Sequence, residues 1–213
     1  MNKCRLLISF EGIDGCGKTT QAVLLKKALE KMGFDVIILK EPTNGFYGSK
    51  IREMLAKSKT SAFNTSQEVY KLFILDRKEN VEKRILPALK EGKIVIMDRY
   101  FISTIAYQGA AGIPISQIVK DNMKFPLPDV IFILDIPIDE AVKRLQTGRR
   151  NLDTFEINKE FLEKVRELYL KMPEILKNAD VIIIDGKKEI NEIHDEIMKK
   201  VKEILVKKGC LNE

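Results

Sequence analysis

The sequence predicts an α/β fold in which five parallel strands form one sheet with helices on both faces. Short apolar runs rich in Ile, Leu and Val recur along the chain, amphipathic segments of helical period separate them, and polar residues follow where the runs end. Strands that are apolar at every position are buried on both faces, which is typical of parallel sheets covered by helices. The 213 residues, 45% of them hydrophobic, suffice for a single domain over residues 1–213.

The apolar runs and helical segments can be placed along the chain. Strands are predicted at residues 6–10, 36–39, 94–97, 130–134 and 181–184. Helices are predicted near residues 18–32, 48–56, 66–91, 103–110, 116–123, 138–145 and 159–177, with a last helix that ends near residue 207. Pro87 is expected to kink the long helix, because proline lacks the amide hydrogen that a helix interior needs. Ligands bind at the carboxyl ends of the strands in such sheets, so the functional residues should follow the strands.

Composition and charge exclude several classes of protein. The net charge of +6 suits an acidic ligand such as a nucleotide, but Lys and Glu are interleaved in the last helix, which indicates a solvated face and no nucleic-acid partner. No apolar run is long enough to cross a bilayer and no signal peptide is present, so we expect a cytoplasmic protein without a membrane partner. The three cysteines, Cys4, Cys16 and Cys210, are odd in number and far apart, which predicts neither a disulfide framework nor a metal cluster.

A phosphate-binding loop is the strongest motif in the chain. Residues 12–19 match G-x-x-x-x-G-K-S/T without a mismatch, directly after a predicted strand and at the start of a predicted helix. Glycines let backbone amides surround phosphate oxygens, and the helix N-terminus adds a partial positive charge. Lys18 is expected to reach the β- and γ-phosphates of ATP, and the Thr19 hydroxyl to bind Mg²⁺. The predicted ATP-binding residues are Gly12, Ile13, Asp14, Gly15, Cys16, Gly17, Lys18, Thr19, Thr20 and Arg144. The fold class is accordingly that of the P-loop NTPases.

The loop alone leaves the reaction open among switches, motors and kinases. No guanine-specific Asn-Lys-x-Asp motif is present, and the chain is short for a DNA-translocating ATPase, so a small kinase remains. Asp98 and Arg99 follow the third predicted strand. An acid placed there beside a P-loop can hold Mg²⁺, directly or through water, and an arginine offers a two-pronged contact to phosphate. We therefore expect Lys18, Asp98 and Arg99 to be catalytic.

Several segments together resemble the thymidylate kinase family. They are residues 10–15 and 18–21 around the P-loop, 72–77, 98–100, 103–109, 128–129, 134–137, 149–150, 155–156 and 161–166. Residues 73–77 and 107–108 are the most specific of these, whereas the P-loop is shared by many families. The resemblance implies a homodimer that transfers the γ-phosphoryl group of ATP to dTMP in dTTP biosynthesis, with Mg²⁺ as cofactor.

The resemblance also assigns roles on the acceptor side. Phe73 would stack on thymine, Arg77 would hydrogen-bond a base carbonyl, and Gln108 would face the imide edge of the base. Tyr107 would crowd the 2′ position of the sugar and exclude ribose, and Asp14 would lie near the 3′-hydroxyl. The remaining substrate contacts are assigned to Glu41, Arg52, Arg99 and Ser103. Helix packing, surface exposure and loop capping are the alternatives that the residues alone leave open.

A polar segment at about residues 147–157 is expected to form a short lid over ATP. Some relatives carry an arginine inside the P-loop directly after the aspartate, where this chain has Gly15. Arg149 and Arg150 are therefore predicted to supply that catalytic charge from the lid when both substrates are bound. Two other functions remain as alternatives: a small P-loop kinase for a nucleoside or another monophosphate, and a nucleotide-dependent switch or ATPase.

Overall fold

The structure, a computed structural model, describes residues 3–57, 67–147 and 159–212 of the chain. Five parallel strands form one sheet in the order β2-β3-β1-β4-β5. The strands are β1 (Leu6–Glu11), β2 (Val36–Lys40), β3 (Ile94–Asp98), β4 (Val130–Asp135) and β5 (Val181–Asp185). The predicted five-stranded parallel sheet is confirmed, and each strand ends one residue later than predicted, at a charged side chain.

Helices cover the sheet on both sides. Every residue of β1 and β3 is buried, and since successive side chains of a strand point to opposite faces, both faces must be covered. The helices of the described residues are α1 (Lys18–Lys31), α2 (Phe46–Lys57), α3 (Gln67–Asn80), α4 (Leu86–Lys90), α5 (Phe101–Ala110), α6 (Ile115–Asn122), α7 (Ile138–Thr147), α8 (Lys159–Leu170), α9 (Met172–Ile175) and α10 (Ile190–Lys207). None of them is both long enough and apolar enough to pass through a membrane.

The long helix predicted near residues 66–91 is interrupted one turn before its proline. A π-helical turn, Val81–Ile85, joins α3 to α4, and Pro87 lies in the first turn of α4. Pro87 has no amide hydrogen for the carbonyl of Lys83, four residues earlier, and its ring crowds that carbonyl. The helix widens at this point, so the distortion extends upstream of the residue that causes it.

The two ends of the described chain are joined by a disulfide, and the prediction that the cysteines form none is wrong. Cys4 and Cys210 are bonded, with their Cα atoms 5.6 Å apart, although 206 positions separate them in sequence. Cys4 precedes β1 and Cys210 follows α10, and α10 returns along α1 to the edge of the sheet where β1 begins. Distance along the sequence therefore says nothing about this pair, because the fold brings the two ends together. Cys16 keeps a free, buried thiol.

The sheet order creates the crevice in which a ligand can bind. β1 lies between β3 and β4, and the register pairs Phe10 with Asp98. The loops that follow β1 and β3 therefore leave the sheet side by side. This is the position at which open parallel sheets bind ligands, and it brings the P-loop next to Arg99.

Candidate active site

The loop between β1 and α1 has a backbone that only glycine can adopt at several positions. Gly12, Gly15 and Gly17 have φ values of 130°, 86° and 102°. A Cβ on Gly12 would lie 2.5 Å from the carbonyl oxygen of Leu134, and one on Gly15 would lie 2.9 Å from that of Ala141. Glycine is thus required both for the turn and for its close approach to the neighbouring segments. The loop is a tight, glycine-dependent turn between β1 and α1.

Lys18 lies at the centre of this loop, and its side chain is only 6% exposed. Its Nζ donates hydrogen bonds to the carbonyl oxygens of Gly12, at 3.0 Å, and Ile13, at 2.8 Å. The Sγ of Cys16 is 3.6 Å from the same nitrogen. An ammonium group held inside a ring of backbone is placed to meet an incoming phosphate oxygen.

Thr19 and Asp98 form an oxygen pair that fits a hard divalent cation. The Thr19 hydroxyl donates to Oδ2 of Asp98 at 2.6 Å. The Oδ1 atom of Asp98 is buried and has no hydrogen-bond partner among the described residues. A buried carboxylate oxygen without a partner is costly, and Mg²⁺ prefers such oxygens with phosphate and water completing its octahedron. Nζ of Lys40 lies 3.6 Å from Oδ2 and balances part of the charge.

Arg99 adopts an unusual backbone conformation at the tip of β3. Its φ is 72°, a left-handed value that costs a non-glycine residue on the order of 1 kcal/mol or more. The guanidinium donates through Nη2 to Oδ1 of Asp14 at 2.7 Å. Nη1 donates to the hydroxyls of Ser103, at 3.0 Å, and Tyr169, at 3.2 Å. The ring of Tyr107 lies 5.3 Å from its central carbon. These contacts aim the guanidinium across the mouth of the P-loop.

A cavity of ≈ 160 Å³ opens beside Arg99. It is lined by Asp14, Glu41, Pro42, Leu55, Phe73, Arg77, Arg99, Tyr100, Ser103, Thr104, Tyr107 and Gln108. We call it the acceptor cavity. Of the residues predicted to bind the acceptor, all but Arg52 lie in its wall, and they come from four stretches of the chain.

Arg77 is engaged by protein groups. It is 1% exposed, and its Nε donates to Oε2 of Glu41 at 2.9 Å, while Nη1 donates to Asn122 at 2.6 Å and Nη2 to Thr104 at 3.0 Å. Nη2 also lies 2.8 Å from Oε2 of Glu41. A guanidinium carries five N–H donors, and within the described chain one N–H of Nη1 has no partner. Burial raises the pKa of Glu41, and the charge of Arg77 opposes that rise.

Arg52 supports a loop and does not line the acceptor cavity. Its Nη1 donates to the carbonyl oxygens of Pro42, at 3.1 Å, and Thr43, at 2.7 Å. Thr43 is held in turn by Asp76 of α3, which accepts from both its amide and its hydroxyl. Arg52 therefore fixes the segment after β2 that borders the cavity.

A second cavity, of ≈ 360 Å³, lies on the other side of the P-loop. It is lined by Gly15, Cys16, Gly17, Thr20, Gln21, Arg144, Gly186, Lys187, Lys188, Glu189, Ile190 and Ile193. We call it the donor cavity. Arg144 reaches it from α7, fixed by Oε1 of Glu140 at 2.9 Å and the carbonyl of Gly186 at 3.0 Å. Sequence reasoning missed residues 186–190, although they follow β5 and the strand-end rule points to them. The predicted lid residues Arg149 and Arg150 lie outside the described residues.

Two further side chains near Arg99 were not anticipated. Glu11 ends β1 and is fully buried, and burial raises the pKa of its carboxyl to about 7 against the opposing hydrogen bonds from Ser103 and Ser9. A charged residue at the end of a mostly apolar strand was the available signal. Tyr169 of α8 places its hydroxyl 2.9 Å from that of Ser103. No pattern in the sequence separates this tyrosine from ordinary core aromatics.

Comparison with known proteins finds likeness over nearly the whole chain. The thymidylate kinase family matches residues 10–197. A probable thymidylate kinase of Pyrococcus abyssi is 40% identical over 203 residues, which cover 93% of this chain and 97% of the relative. A thymidylate kinase of Desulfotalea psychrophila is 40% identical over 202 residues, covering 93% and 95%. The crystal structure of thymidylate kinase from Ehrlichia chaffeensis shares 31% identity, has a TM-score of 0.71 and covers 92% of this chain and 98% of its own.

Proposed function

We propose that this chain, which belongs to the thymidylate kinase family, transfers the γ-phosphoryl group of ATP to dTMP and so yields dTDP and ADP. One observation carries the proposal: the P-loop borders both cavities. Asp14 lines the acceptor cavity, while Gly15, Cys16 and Gly17 line the donor cavity. Two nucleotides bound in these cavities meet with their phosphates at the loop and at Arg99.

On the donor side, the chain binds and neutralises polyphosphate. The loop amides and Lys18 surround the β- and γ-phosphates, and Arg144 and residues 186–190 enclose the rest of the nucleotide. Thr19 and Asp98 would hold Mg²⁺, which supplies positive charge to the phosphate oxygens when bound. Little covalent chemistry falls to the protein, so alignment and charge neutralisation account for the rate.

On the acceptor side, the cavity selects a deoxyribonucleotide with a thymine base. Phe73 offers a ring face for stacking, Gln108 offers both an acceptor and a donor to the imide, and Arg77 retains one N–H. Tyr107, which lines the same cavity, would exclude a 2′-hydroxyl by its bulk. Arg99 then bridges the acceptor phosphate and the transferring group, and Arg149 and Arg150 complete the neutralisation from the lid.

The assembly is proposed on family grounds. We propose that residues 1–213 form one domain with a short lid and that two such chains associate as a homodimer. The mass of the purified protein in solution, measured by light scattering, tests the second statement, and a monomer at micromolar concentration contradicts it.

A panel of acceptors tests the proposed activity. ADP release is measured with ATP, Mg²⁺ and each of dTMP, dUMP, UMP, AMP and CMP. We expect dTMP to give the highest kcat/KM, dUMP less, and UMP little. Equal turnover of AMP or CMP indicates a different monophosphate kinase, and ATP hydrolysis that ignores the acceptor indicates a switch or an ATPase.

A further inference from the structure

The carboxylate of Glu11 is buried beneath the catalytic arginine. Its Oε1 accepts hydrogen bonds from the Ser9 hydroxyl, at 2.6 Å, and from the amide of Tyr100, at 2.7 Å. Its Oε2 accepts from the Ser103 hydroxyl at 2.6 Å. No Lys or Arg of the described residues forms an ion pair with it. Glu11 does not line either nucleotide cavity, so a direct contact with substrate does not explain it.

Two of these three hydrogen bonds lead to Arg99. Tyr100 is the next residue, and its amide is the first backbone donor after the left-handed turn at Arg99. Ser103 accepts from Nη1 of Arg99 at 3.0 Å while it donates to Glu11. The amide of Arg99 itself donates to the carbonyl oxygen of Phe10, at 3.0 Å, the residue before Glu11. The end of β1 thus fixes both the backbone and the side chain of Arg99.

The cost of this arrangement argues that it serves a purpose. A left-handed arginine is strained, and such strain persists only where surrounding contacts impose it. Burying a carboxyl is unfavourable relative to burying an apolar side chain, and the hydrogen bonds and the charge of Arg99 offset only part of that cost. Both costs fall on the same connection, between the strand that carries the P-loop and the strand that carries Asp98 and Arg99.

We infer that Glu11 is a positioning residue for Arg99, which it holds by clamping the Tyr100 amide and orienting the Ser103 hydroxyl. The inference rests on the proposed function, in which Arg99 contacts the phosphates. Glu11 thereby links the position of Arg99, beside the acceptor cavity, to β1, the strand that leads into the P-loop. Tyr169 takes part by closing the hydroxyl network around the guanidinium.

A double-mutant cycle separates positioning from simple structural support. The single variants are Glu11→Gln and Arg99→Ala, and the double variant carries both. Ser9→Ala is the matched control, because it removes a hydrogen bond to the same carboxylate that does not lead to Arg99. Each protein is assayed for kcat and for KM of dTMP and ATP, and its unfolding midpoint is measured.

We expect Glu11→Gln to lower kcat on the order of 10- to 100-fold, the size of effect that misplacing a catalytic group produces. Ser9→Ala should stay within about twofold of the wild type, and in the Arg99→Ala background Glu11→Gln should change kcat by less than about twofold. Equal loss in both backgrounds, or wild-type kcat for Glu11→Gln, overturns the inference.

Two further arms keep the test decisive. If Glu11→Gln fails to fold, Glu11→Asp shortens the side chain so that one carboxylate no longer reaches both the Tyr100 amide and the Ser103 hydroxyl, and its effect on kcat must also vanish in the Arg99→Ala background. Additive effects there overturn the inference equally. Failure of the proposed function shows separately, as a wild-type enzyme that does not phosphorylate dTMP.

Discussion

The stability of the fold should depend on pH through Glu11. The unfolded carboxyl releases its proton near 4.5, whereas burial keeps the folded one protonated to about 7. Between these values the unfolded state binds fewer protons than the folded state, so the free energy of unfolding falls as the pH rises and levels off above about 7. Through proton linkage, this rise in pKa corresponds to a loss of about 3 kcal/mol.

Glu11→Gln isolates this contribution, because the amide cannot titrate. Urea unfolding of the wild type and the variant is followed at half-unit steps from pH 4.5 to 8, and the two free energies are subtracted at each pH. The other ionisable groups cancel in the difference. We expect the free energy of unfolding of the variant to rise by about 3 kcal/mol relative to that of the wild type as the pH increases over this range.

Ser9→Ala provides an internal check on the cause. It removes a donor that stabilises the ionised carboxyl, so the pH-dependent loss should extend to higher pH than in the wild type. A wild-type-to-glutamine difference that is constant across the range would refute the reasoning, since Glu11 would then be ionised throughout.

Four further predictions concern the site and the disulfide. Lys18→Ala should leave the unfolding midpoint nearly unchanged but lower kcat far more than tenfold, and a loss below about tenfold contradicts its role. Tyr107→Ala should raise the ratio of UMP to dUMP turnover, and an unchanged ratio makes Tyr107 a packing residue. Alanine at both Arg149 and Arg150 should lower kcat strongly with little change in dTMP affinity measured by calorimetry. A near-normal kcat with weaker dTMP binding would mean that other residues supply the catalytic positive charge. Cys210→Ser should lower the free energy of unfolding by up to about 5 kcal/mol, from the entropy of a loop of this length, and a reducing agent should destabilise the wild type but not the variant.

The architecture was predictable because four of the five predicted strands are apolar at every position, and Ser9 is the one polar residue in the fifth. Runs such as residues 94–97 can be buried on both faces only in a parallel sheet, and the strand-end rule then located the P-loop and Asp98. The ends of the strands were the less certain part. Glu11 and Asp98 are charged residues that the hydrophobic pattern places outside the sheet, yet they take part in its hydrogen bonding.

The sequence predicted most of the residues that line the acceptor cavity, but not the hydrogen bonds that those residues make with one another. Spacing put Phe73 and Arg77 on one helix face, but nothing local indicated that Glu41, 36 positions away, would engage the arginine. A contact between residues so far apart in sequence depends on the order of all the strands in the sheet. The disulfide was missed for the same reason, because Cys4 and Cys210 become neighbours only after every strand and helix is in place.

The meeting of the two chain ends makes the path of the polypeptide almost a closed circle. A few residues inserted between positions 210 and 4 would complete it, since only 5.6 Å separates the two Cα atoms. The chain could then be cut at a surface loop elsewhere and still trace the same sheet, as circularly permuted proteins do. The closure lies at the start of β1, whereas the P-loop follows its far end, roughly 25 Å away at about 3.3 Å per residue. Groups attached beside Cys4 and Cys210 would thus share one anchoring point, remote from the P-loop.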